Sequence, residues 1–138
     1  MFQSNSFGQT LDILHRSMDV SLLRRSTIAD NISNADTPNF KRSVINFESE
    51  LKRALDSRHA TGMKAALTDN RHIRFRKQVD YRSIGPRRVL DFLSTADNNG
   101  NNVDIEEESM LLLRNQLNYE IMTRMVTNQF GQMNLVLK

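Results

Sequence analysis

The sequence predicts a mainly α fold: long N- and C-terminal amphipathic helices pair in a coiled-coil-like bundle, with a smaller central region holding a short helix and β-hairpin or extended segments. Three observations predict it. Apolar residues recur at steps of three and four near both ends. Asp104 and the acids behind it mark a strong helix start. Between the two ends the period falls from about 3.6 to 2. The 138 residues suit one unit with a modest core, organised as an N-terminal helix over 8–34, a central region over 35–103 and a C-terminal helix over 104–137.

The N-terminal helix follows from Leu11, Leu14 and Met18 after Phe7, a stripe that Leu22, Ala29 and Ile32 continue on roughly the same face. Ser4, Asn5 or Ser6 can cap its start. Asn34 suits its end because Asn tolerates the left-handed conformation, and Pro38 cannot continue a helix. Next, "NFESELKRALDS" forms a short helix with Asn46 as cap, acids early and bases late. The stretch "HIRFRKQVDYR" alternates, with Ile73, Phe75, Val79 and Tyr81 on one side, and predicts a strand or hairpin arm that Gly85-Pro86 ends. "DNNGNN", Asp97 to Asn102, reads as a turn-rich hinge.

The C-terminal helix starts at Asp104 as N-cap, with Glu107 at the capping-box position and Glu106 and Glu108 where the helix dipole favours negative charge. Met110, Leu113, Leu117, Ile121 and Met125 form one apolar line; Met122, Val126, Phe130, Met133 and Leu137 form an adjoining one. So wide a face, rich in adaptable methionine, requires more than one neighbouring helix. The expectation is a marginal monomer that neighbouring subunits complete.

Composition narrows the function classes. Zero cysteines exclude a disulfide framework, a thiol nucleophile and cysteine-ligated metal. His15, His59 and His72 are scattered without metal-ligand spacing, and no phosphate-cradling glycine loop occurs. The acids Glu106 to Glu108 have no matching base or nucleophile and read as helix-start residues. No enzyme, cofactor or metal site is expected. No apolar run approaches a membrane span, and the opening "MFQSNSFGQT" lacks the pattern of a cleaved signal. A net charge of +3 permits an acidic partner. The competing class is a small basic nucleic-acid-binding module: Arg71, Arg74, Arg76, Lys77, Arg82, Arg87 and Arg88 interleave with Phe75 and Tyr81 along the central strand.

The stretch "ADNISNADTPNFKR" resembles the signature that follows the N-terminal helix in bacterial flagellar rod, hook and hook-associated proteins. Asn31, Asn34, Ala35, Thr37, Pro38 and Phe40 match it. Asp30 departs from the usual Ala or Asn, and Asn39 stands where the family has Gly; Asn is the best non-glycine residue for a positive φ. "INFESELKRAL" and "GNNVDIEEE" are similar to the proximal rod members of that family, and the short middle differs from hook and distal-rod relatives with inserted outer domains.

This resemblance implies a structural subunit of the proximal rod of the flagellar basal body, polymerising through its terminal helices to transmit torque from motor to hook. It implies a periplasmic rod location reached by type III export without a cleaved signal peptide. The implied partners are other copies of the chain, other flagellar rod proteins, the adaptor between rod and MS ring, and the export apparatus, with no nucleic acid and no direct membrane span. The interface residues so implied are Leu11, Leu14, Met18, Leu22 and Ile32 on the first helix and Leu113, Leu117, Ile121, Met125, Phe130, Met133 and Leu137 on the last. The amides of Asn31 and Asn34 are expected to satisfy backbone groups left open at the helix end, on this chain or a neighbour's.

Overall fold

A computed structural model describes residues 6–59, 66–73, 78–94 and 100–137. The elements in order are α1 (Ser6–Ser33), β1 (Ser43–Asn46), α2 (Glu48–His59), a single 3₁₀ turn (Tyr81–Ser83), β2 (Arg87–Leu90) and α3 (Ile105–Val136). The candidate caps Ser4 and Asn5 lie outside the described residues, and Ser6 is the first residue of α1. The long terminal helices pack together, and β1 and β2 form a small antiparallel sheet. The chain divides into two compact units: Met1–Ile45 with Arg88–Lys138, and Asn46–Arg87.

In the first unit, α3 begins where the acids predict. The Asp104 carboxylate accepts from the N–H groups of Glu106 and Glu107, satisfying two donors that a helix start leaves open. α1 runs to Ser33, and the next residues form tight turns, with Asn34, Ala35 and Thr37 N–H donating to the carbonyls of Asn31, Ile32 and Asn34. The left-handed residue is Asn39, at φ 60°, and not Asn34. Only the later position must reverse the chain towards β1, and asparagine is the residue other than glycine that accepts that conformation at least cost.

The bond from Asp91 N–H to Arg42 O fixes the register of the sheet. Arg42 stands opposite Asp91, Val44 opposite Val89 and Asn46 opposite Arg87, so the N–H and C=O groups of Ser43 and Ile45 point away from β2. That outer edge of β1 is closed by side chains of α1. Asn31 pairs with both backbone groups of Ser43, and Arg24 Nη2 donates to Ile45 O. An edge covered in this way cannot recruit another strand.

In the second unit, α2 begins one residue later than an Asn46 cap implies. The first helical bond runs from Leu51 N–H to Phe47 O, while Asn46 Oδ1 accepts from the Ser49 hydroxyl. Among its described residues, Phe47, Leu51, Ala54 and Tyr81 are the buried apolar side chains. The strand expected over "HIRFRKQVDYR" is replaced where it is described. Asp80 caps the 3₁₀ turn by accepting from Arg82 N–H, which bends the chain at the position where alternation predicts extension. Arg74 to Lys77 of that stretch lie outside the described residues.

Candidate assembly surface

The asparagine cluster is a densely hydrogen-bonded polar feature of the first unit. Asn31 is 1% exposed; its Oδ1 accepts from Ser43 N–H at 3.0 Å and its Nδ2 donates to Ser43 O at 2.9 Å. One side-chain amide thus stands in for a neighbouring peptide unit along β1. The same Nδ2 lies 3.2 Å from Glu108 Oε2, and Arg42 Nη2 lies 2.8 Å from Glu108 Oε1. Glu108, 1% exposed, is therefore held in a buried ion pair between α3 and the segment after α1, rather than serving only the helix dipole. Glu107 reaches the same guanidinium, with Oε1 3.3 Å from Arg42 Nη1.

Asn34 does what a helix-end amide is expected to do. Its Nδ2 donates to Asp30 O at 2.8 Å, and its Oδ1 accepts from the Thr37 hydroxyl at 3.4 Å. Two further amides come from the stretch read as a hinge. Asn101 Nδ2 lies against the carbonyls of Asn34, Ala35 and Thr37, while its Oδ1 accepts from Val103 N–H. Asn102 inserts between the strands where the ladder opens: Oδ1 accepts from Arg42 N–H and Nδ2 donates to Asp91 O, both at 2.7 Å. Asn101 and Asn102 are both buried. Beside them Gly100, at φ +80°, passes so close to Asn39 that a Cβ would sit 2.8 Å from Asn39 Oδ1, and Lys41 Nζ donates to Gly100 O. The family turn is thus clamped by residues 100–102 of the same chain. The Asp91 carboxyl is held below its ordinary range chiefly by the Ser94 hydroxyl and then by Leu93 N–H.

The seam between α1 and α3 is polar in its middle. Asn115 Nδ2 donates to Ser21 O at 2.9 Å, Glu108 meets Asn31, and Ser21 and Thr27 are buried with them. From Glu108 and Asn115 the α1-facing line continues through the partly buried Tyr119, Met122, Val126, Gln129 and Met133. The apolar line lies on the other side of α3. Leu117 is two and a half turns beyond Glu108 at ~3.6 residues per turn, hence on the opposite face. Met110, Leu113, Leu117, Ile121 and Met125 are each half exposed or more, with Met110 at 74%.

The predicted interface residues therefore fall into different places. Leu113, Leu117, Ile121 and Met125 share the exposed line; Met133 is partly buried on the seam side, and Phe130 and Leu137 are exposed near the end of α3. On α1, Leu11, Leu14, Met18 and Ile32 are partly buried and Leu22 is 51% exposed. Of the motif residues, Asn31 and Ala35 are buried, Asn34 and Phe40 partly so, and Thr37 and Pro38 exposed.

Arg74, Phe75, Arg76 and Lys77 of the basic stretch lie outside the described residues, and among the described ones no stacking ribbon forms. Tyr81 is buried, with the Arg58 Cζ 4.5 Å from its ring centroid and that of Arg82 at 5.7 Å, so its face is already occupied by cations of its own unit. A base needs such a face free. Among the described residues, no three or more His, Cys, Asp or Glu side chains converge to hold a metal ion, and no helix is long and apolar enough to cross a membrane.

A family model described as "Flagella basal body rod protein" matches residues 23–41, the end of α1 and the clamped turn. The flagellar basal body rod protein FlgB of Borreliella burgdorferi is 45% identical over 134 residues, covering 97% of this chain and 99% of that protein. FlgB of Bacillus subtilis is 29% identical with 95% of each chain covered, and FlgB of Escherichia coli is 32% identical with 82% of each covered. With the helix pair, the asparagine-clamped turn and full-length similarity together, the chain belongs to the FlgB family of flagellar basal body rod proteins.

Proposed function

We propose that this rod component polymerises through its terminal helices into the proximal rod, in the periplasm, and that the assembled rod transmits torque from motor to hook. The observation that carries the reading is the apolar line of α3, Met110 to Met125, on the face opposite the intrachain seam. α1 covers one side of α3 and leaves this line to water, at roughly 25 cal/mol per Å² of apolar surface that burial would recover. Heterologous contacts between such faces generate an open helical array where the rotation from one subunit to the next does not close. The buried polar seam fixes how α1 and α3 align, and the exposed line is free to take a neighbour.

In this role the chain acts without catalysis. Its partners are other copies of itself, other rod proteins, the rod-to-MS-ring adaptor and the export apparatus that passes it without a cleaved signal. Leu117→Asp tests the reading. The variant should unfold in dilute solution as the parent does, since the side chain already faces water, yet fail to enter the rod and abolish motility. A motile strain with normal rods carrying this variant would overturn the proposal.

A further inference from the structure

The two edges of the small sheet are treated differently. The edge of β1 is closed by Asn31 and Arg24, whereas among the described residues β2 has no third strand beside it, and all four of its residues are exposed. By the register set at Arg42 and Asp91, the N–H and C=O groups of Arg88 and Leu90 point outward from this open edge. A bare edge of this kind is a template for another strand. We propose that its occupant is β2 of a second copy of this chain, paired antiparallel about Val89.

The sequence of the edge is self-complementary in that register. Outward-pointing backbone groups must pair with outward-pointing ones, which sets Arg88 opposite Leu90 of the second copy and leaves Val89 facing Val89 at the two-fold centre. Arg87 then stands opposite Asp91 of the second copy, so opposite charges meet at both ends of the pair. One step further, Phe92, 69% exposed in the free chain, faces Pro86 of the second copy. A shift by two residues either way loses this: it sets Arg88 against Arg88, or Leu90 against Leu90 with Arg87 beyond reach of Asp91. Two-fold pairing closes at two copies, and a strand of four residues gives a weak dimer. Neither terminal helix takes part, so this pairing and helix-mediated assembly stand or fall separately.

The chain has no cysteine, so a single introduced thiol reports the pairing without ambiguity. A central pair flanked by hydrogen-bonded ones has its Cα atoms about 4.5 Å apart, within disulfide reach. Val89→Cys should form an intermolecular disulfide under mild oxidation roughly tenfold or more faster than Ile73→Cys, an exposed collision control, because pairing raises the local thiol concentration. Adding Leu90→Pro removes one outward N–H and no bond to β1, and should return the rate to that of the control. Adding Arg87→Glu places like charges opposite each other and should slow it even if the proline variant folds poorly. Val89→Cys cross-linking at the control rate, or a fast rate that survives both second substitutions, would overturn the proposal.

Discussion

Replacing Asn31 by leucine separates a structural clamp from an ordinary helix-end amide. Leucine fills nearly the same space but leaves the N–H and C=O of Ser43 without the partners now at 3.0 and 2.9 Å, on a residue that is itself buried. Each orphaned backbone group costs roughly 1–3 kcal/mol, so the substitution should destabilise the fold by about 2–6 kcal/mol. The loss of the Asn31 bond to Glu108 pushes the value towards the upper end, although Arg42 still neutralises that carboxylate. Asn34→Ala is the matched control in the same turn. Its amide caps an exposed carbonyl that water can serve instead, and the expected cost is about 0.5–1 kcal/mol. Urea denaturation followed by far-UV circular dichroism measures both. Equal stabilities for the two variants, within about 0.5 kcal/mol, would refute the clamp, because that reasoning rests wholly on burial of the Ser43 pair.

Other substitutions give effects of different sign. Asn115→Leu removes one bond to Ser21 O but also a buried Oδ1 that has no hydrogen-bond partner, and apolar replacement of such a group is neutral to stabilising; the urea midpoint should hold or rise. Gly100→Ala should cost about 1–3 kcal/mol from strain at positive φ and from the close approach to Asn39, measured as a fall in that midpoint. Asn39→Gly relieves the left-handed backbone at φ 60° and should leave stability within about 1 kcal/mol of the parent by the same measurement. The Asp91 carboxyl, held below its ordinary range by Ser94 and Leu93, contributes stability that is present above the ordinary carboxylate pKa and lost as pH falls through the lowered folded value. Ser94→Ala should therefore weaken the fold at neutral pH and flatten its loss of stability in acid, read from urea midpoints across the acid range.

The helices were legible because a period of 3.6 and an N-cap are local signals. Asp104 capping α3, the end of α1 near Asn34 and the left-handed Asn39 at the family's glycine position all follow from neighbouring residues. Which side of α3 meets α1 was not legible. Periodicity marks the apolar line through Leu117, whereas the chain turns Glu108 and Asn115 inward, because their partners are an asparagine and a backbone carbonyl far away in sequence. The clamp was hidden for a related reason. "NNGNN" has the composition of a solvated turn, and nothing local shows that Asn101 and Asn102 end up buried against residues some sixty positions earlier. The strands "SVIN" and "RRVL" are too short to show alternation, while the longer alternating run at 72–82 contains the Asp80 cap that bends it.

In the proposed rod, the exposed apolar line of α3 is the surface through which subunits join. Ile121→Cys places a single thiol in the middle of that line, in a chain with no other cysteine, and its rate of alkylation can be compared in the dilute subunit and in isolated rods. Fast modification of the free subunit and strong protection in the rod are the predicted result. A thiol that reacts as readily in the rod as in the free subunit would rule out this line as the joint, and would place the subunit contacts elsewhere on the chain.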